Sequence, residues 1–149
     1  MADTIRQQII TAVDTQLKTI SVANGYRTAL GATVQEWDLT PLSAANETTG
    51  RLEYRDGGED RLDLTVGEQT MGLPLVIRVL TPGSTSMADI RKMLADVAKA
   101  MYEDPTFGGL ADDTNQEGPA TLDKGEEADE AAGVEILYRI EYTVARGDS

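Results

Sequence analysis

The sequence predicts an α+β domain: a mixed, largely antiparallel sheet of four to five strands with two helices packed on one face. Three observations carry this expectation. Two segments repeat apolar residues at helical spacing, several others alternate them at strand spacing, and the order along the chain is helix, strands, helix, strand rather than a strict alternation. A chain of 149 residues buries one core of ordinary size, so residues 1–149 are expected to form a single domain.

The first helix is expected from Asp3 to Ile20, where Ile5, Ile9, Val13 and Leu17 recur every four positions and Ile20 follows three later. Thr4 or Asp3 can cap its start, Gln7 stands where a capping box needs it, and Asn24-Gly25 supplies residues that end helices. Thr33 to Trp37 reads as a short strand at a sheet edge, followed by a polar loop through Pro41 to Gly50. Arg51 to Arg55 alternates Leu52 and Tyr54 with charges, and Arg61 to Val66 alternates again. With Asp56-Gly57-Gly58 between them, the two read as a hairpin. The nearly continuous apolar run Leu73 to Leu80 reads as the central strand, with Pro74 suited to its beginning.

Pro82 and Gly83 stop that strand, and Ser84, Thr85 and Ser86 offer caps for a second helix. Its apolar stripe is Ile90, Met93, Leu94, Val97 and Met101, and Asp104-Pro105 ends it. From Gly108-Gly109 to Gly133 the chain is rich in Asp, Glu and Gly, which predicts a mobile acidic loop at about 108–133. The last strand places Val134, Ile136, Tyr138, Ile140, Tyr142 and Val144 on one buried face.

Composition removes most catalytic chemistries. The chain has no Cys and no His, which excludes disulfides, thiol nucleophiles, the Ser-His-Asp triad and zinc sites of the usual kind. No glycine pair carries a phosphate-cradling pattern, and Asp112-Asp113, Glu126-Glu127 and Asp129-Glu130 lack the spacing of a calcium loop. No catalytic, cofactor-binding or metal-binding residue is therefore assigned, no cofactor is expected, and the chain is read as non-enzymatic. Thirteen Lys plus Arg against 26 Asp plus Glu give a formal charge of −13, which disfavours binding to a phosphate backbone. No segment approaches the ~20 apolar residues that span a bilayer, and the start carries no signal-like core, so neither a membrane nor export is expected. Trp37 and Phe107, large aromatics beside loops, fit either core closure or an interface anchor.

Three stretches resemble the phage tail terminator family, the group of minor tail protein U of lambda-like phages. They are IRQQIITAVDTQLKTI at 5–20, NGYRTALGATVQEWDLTPL at 24–42 and ADIRKMLADVAKAMYEDPTFGGLADDT at 88–114, in the order and at the distances of that family. The stretch ETTGRLEYRDGGED after Pro41 is more polar than the family pattern. The resemblance implies a structural virion protein at the head–tail junction, assembled in the host cytoplasm. It implies a homohexameric ring that caps the head-proximal end of the tail tube, stops its polymerisation and offers the surface that joins the head. The implied partners are other copies of the chain, the tail tube protein and a head completion or connector protein, with DNA passing through the lumen without sequence-specific binding. Candidate interface residues are Asn24, Gly25, Tyr26 and Arg27 in one loop, Phe107, Gly108, Gly109 and Leu110 in another, and Trp37. The alternatives are another head or tail completion ring protein and a monomeric acidic binding module.

Overall fold

The computed structural model describes residues 4–36, 50–58, 60–81, 85–123 and 132–145. Its fold is α+β, with two α-helices and a mixed sheet of seven strands among those residues. The helices are α1 (Ile5–Leu17) and α2 (Met87–Glu103). The strands are β1 (Val34–Glu36), β2 (Arg51–Asp56), β3 (Asp60–Leu64), β4 (Glu68–Thr81), β5 (Asp113–Gln116), β6 (Thr121–Asp123) and β7 (Ala132–Ala145).

Across the sheet there are five positions, β1-β2-β4-β7-β5, with β3 also on β4 and β6 also on β7. Two positions are thus each filled by a pair of short strands laid end to end, which is why seven strands occupy the width expected of four or five. The central pair, β4 and β7, is antiparallel over its full length, from Glu68↔Ala145 to Thr81↔Ala132. β1 lies parallel to β2 at one edge of the sheet.

The expected hairpin between residues 51–55 and 61–66 does not form. β2 pairs antiparallel with Leu75–Leu80 of β4, and β3 pairs antiparallel with the Gln69–Gly72 half of the same strand. Gly57 does not reverse the chain there; its N–H donates to the Pro74 carbonyl at 2.9 Å, so the antiparallel ladder continues past β2. The reversal comes later, at Val66-Gly67, where Thr65 N–H donates to the Glu68 carbonyl at 2.8 Å. Alternation is the same for one broken strand as for two paired ones, so the pattern could not distinguish them.

Pro74 is likewise in the middle of a 14-residue strand, not at its beginning. Within a strand, a residue's N and carbonyl point to the same side. The Pro74 carbonyl faces Gly57, so the position that lacks an N–H falls opposite the gap between β2 and β3, where no ladder bond is lost.

Both helices cover one face. Thr4 caps α1 by accepting from Gln7 N–H at 3.1 Å, and Ser86, the last of the three candidate caps, serves α2 by accepting from Asp89 N–H at 3.2 Å. α1 stops at Leu17, earlier than expected. Ile20 stays buried beyond its end, and Asn24-Gly25 closes a separate 3₁₀ turn instead. Ile9, Val13 and Leu17 of α1 and Ile90, Val97 and Met101 of α2 meet Leu73, Leu75, Ile77 and the alternating stripe of β7 in one core. Each such side chain contributes about 1.5–3 kcal/mol of burial.

The segment expected to be a mobile loop is partly sheet. Residues Asp113–Gln116 and Thr121–Asp123 both pair with β7, and Thr114 is buried with its hydroxyl donating to the Pro105 carbonyl at 2.8 Å. Backbone pairing with a long, regular neighbour gave these polar residues a structure that their side chains did not announce. The remainder of that segment up to β7, residues 124–131, lies outside the described residues.

Candidate functional site

The loop of Asn24 to Arg27 is fixed to α2 by charge. Asp96 interrupts the apolar stripe of α2 and is buried. Its carboxylate accepts from Arg27 N–H at 3.1 Å, from Thr28 N–H at 2.7 Å and from the Thr28 hydroxyl at 2.6 Å. One turn on, Lys99 donates to the Gly25 carbonyl at 3.2 Å and sits 4.6 Å from the centre of the buried Tyr26 ring, a cation–π contact. Gly25 takes the left-handed conformation, φ 89°, that closes the 3₁₀ turn. Asn24 donates to the Thr19 carbonyl at the end of α1 at 2.8 Å. Asn24, Gly25 and Arg27 of this loop are exposed, as are Ala23 and, at 69 %, Val22 just before it.

The second candidate loop follows α2. Phe107 is core, only 4 % exposed, although its φ of 51° is a left-handed value unusual for a large side chain. Asp104 holds this turn by accepting from Thr106 N–H, the Thr106 hydroxyl and Gly108 N–H, the last at 2.8 Å. Of the two roles open to Phe107, the ring fills the core-closing one; what faces outward is the exposed pair Gly108 and Gly109, with Leu110 half-buried. Trp37 lies outside the described residues.

The two loops flank the same end of α1. Thr19 receives Asn24 on one side, and on the other it lines a groove of about 490 Å³ with Ala12, Thr15, Gln16, Glu103 and Phe107. Gln16 ties α1 to α2 across its base by donating to the Ala100 carbonyl at 2.6 Å. Two stretches far apart in sequence are thereby brought to one neighbourhood of the helical layer.

No family model and no curated protein matches the chain. Its candidate surfaces are therefore read from geometry and the residues themselves.

On the sheet face away from the helices, β1, β2, β4 and β7 align Gln35, Glu53, Arg78 and Glu135 in one cross-strand row. Glu53 is 0 % exposed and forms ion pairs with Arg51 at 2.7 Å and Arg78 at 2.6 Å. Sequence reasoning missed this cluster because it paired residues 51–55 with 61–66; the available signal was Arg78, the one charge inside the apolar run Leu73 to Leu80. The same face carries apolar surface at Leu137, and Arg139 lies across Gly72, where a β-carbon would come within 2.7 Å of its Nε.

The β3–β4 hairpin carries the most exposed large apolar residue among those described, Val66, at 92 %. Leu62 and Leu64 precede it at 41 % and 38 %. The hairpin extends the apolar face of the sheet to where neither helix covers it. The acidic pairs are structural where described: Asp112 accepts from the Thr143 hydroxyl at 2.7 Å and Asp113 from Thr114 N–H at 2.9 Å. No group of three metal-ligating side chains occurs among the described residues, and no described helix is long and apolar enough to cross a membrane.

Proposed function

We propose that this protein is a non-enzymatic tail terminator: a structural virion subunit that assembles into a homohexameric ring on the head-proximal end of a tail tube, ends polymerisation and carries the head-joining surface. The observation that carries the reading is the uncovered apolar hairpin, with Val66 at 92 % exposure, on a domain whose buried charges are engaged in holding loops and strands. Such exposure fits a chain that completes itself against other proteins. The likeness of residues 5–20, 24–42 and 88–114 to the terminator family supplies the identity of those proteins: other copies, the tube protein and a head completion protein. A tube grows because each ring exposes a face that accepts the next. A ring that matches that face on one side and lacks it on the other stops growth by shape alone, with no catalytic group.

The test is electron microscopy of tail tubes lacking their natural cap, incubated with the purified protein. Rings at one end and tubes of uniform length are expected. Tubes that keep elongating, with no density at either end, would reject the reading in favour of a monomeric acidic binding module. Rings that bind isolated heads and ignore tubes would transfer it to the head-completion class.

A further inference from the structure

We infer that the β3–β4 hairpin of one copy seats its Val66 turn in the groove between α1 and the Phe107 turn of a second copy, making a head-to-tail contact. The inference rests on the ring reading above and names the surfaces that would form such a ring.

The hairpin has two different faces. Cross-strand partners lie on the same side of a sheet, so Arg61, opposite the buried Met71, and Leu64, opposite Gln69, extend the helix-covered face, whereas Asp63, opposite Thr70, lies on the other. A shift of register between Arg61 and Asp63 places Leu62 as the extra residue of a bulge. One side of the arm is therefore apolar and basic, ending in the exposed Val66, and the acidic side chain of Asp63 points away from it.

The groove has the matching character. Ala12, Thr15, Gln16, Thr19 and Phe107 line it together with the acidic pair Glu103 and Asp104. Neither Arg61 nor Glu103 has a side-chain partner among the described residues, and in a chain of net charge −13 a free cation beside the knob and a free anion beside the hole are a specific complement. The contact cannot be made within one chain. Asp14 of α1 meets Tyr54, which is in register with Ile77, and Pro105 beside the Phe107 turn meets Thr114, level with Leu73, so the walls of the groove lie about five to nine residues, or roughly 17–30 Å, along β4 from the turn. A knob and a hole on separate parts of one chain generate a heterologous contact, the kind that closes into rings.

The absence of Cys makes a direct test clean. Val66→Cys and Thr15→Cys are introduced together, and singly as controls, into the full chain, with circular dichroism to verify the fold. Under mild oxidation without tubes, the double variant is expected to give a covalent ladder beyond dimer that the single variants do not. No ladder, or one that stops at dimer, overturns the inference. In the cysteine-free protein, Arg61→Glu should weaken self-association about tenfold and Glu103→Arg should restore it; equal association of all three overturns the charge pairing that orients the contact. A ladder with tubes left uncapped would sink the terminator reading and leave this contact standing. Capping without a ladder would do the reverse.

Discussion

The carboxylate of Asp96 meets the hydroxyl of Thr28 at 2.6 Å and its N–H at 2.7 Å, in the middle of a helix face that is otherwise apolar. A buried carboxylate is retained at such a place when it satisfies donors that have no other partner, here the backbone of residues 27 and 28. The candidate interface loop is thus held by two charges on the helix, Asp96 and Lys99, together with the Asn24 side chain's bond to the Thr19 carbonyl.

Asp96→Ala is expected to cost about 3 kcal/mol, because it leaves buried donors unsatisfied, while Thr28→Val, which removes one donor and keeps the shape, costs about 1–1.5 kcal/mol. Urea unfolding of both variants checks the ordering. A loss below about 1 kcal/mol for the Asp96 variant would show that water replaces the carboxylate and that the loop is not anchored there.

Glu53 offers a second test of buried charge. Removing it as Glu53→Ala leaves Arg51 and Arg78 facing each other without their shared carboxylate, and the expected loss is about 3–5 kcal/mol. Lys92→Ala, which breaks an exposed pair with Asp89, should change stability by less than about 1 kcal/mol. Comparable losses from the two substitutions would mean that the row on the back of the sheet is solvated in practice.

Much of this architecture was readable in the sequence. Helical spacing located both helices, Thr4 and Ser86 stood where caps belong, and the six apolar positions of β7 alternate without interruption. Which strands pair was not readable, because side-chain alternation is blind to the partner: residues 51–64 have the same pattern whether they fold on themselves or run along β4. The short polar strands β5 and β6 owe their structure to the backbone of β7, which no side chain announces. Of the candidate surface, Asn24-Gly25 and Gly108-Gly109 marked the loops around residues 24–27 and 107–110. Val66 carried no mark, since exposure is a property of what fails to cover a residue.

Alkaline pH should expose the hydroxyls of Tyr54 and Tyr138. Burial pushes both well above the ordinary value of 10.0, and for Tyr54 the Asp14 carboxylate, which accepts its hydrogen bond at 2.9 Å, adds to the shift. A tyrosine whose folded pKa is raised keeps its proton while the unfolded chain releases it. Stability from these groups is therefore complete below about pH 10 and falls above it, by about 1.4 kcal/mol per pH unit for each tyrosine. Urea midpoints measured across that range should decline more shallowly for Tyr54→Phe than for the parent. Parallel declines would show that Tyr54 does not contribute.

Gly133 marks the point where β7 enters the sheet, and its backbone leaves no room for a side chain. With φ at 149°, a β-carbon would lie 1.7 Å from the Val79 carbonyl oxygen of β4, a backbone atom that cannot swing aside. Gly133→Ala must then change the backbone conformation or shift the paired strands at Leu80, and strain of about 1–3 kcal/mol from either source adds to that from the other. The expected result is a loss of at least about 2 kcal/mol. Gly58→Ala is the proper comparison, because its β-carbon meets nothing within 4 Å and its φ is not positive, so a gain of up to about 1 kcal/mol follows from the stiffer unfolded chain. Thermal unfolding of the two variants measures the difference. If both lie near the parent, β4 and β7 can separate at this end without cost, and the long central ladder does not anchor the sheet there.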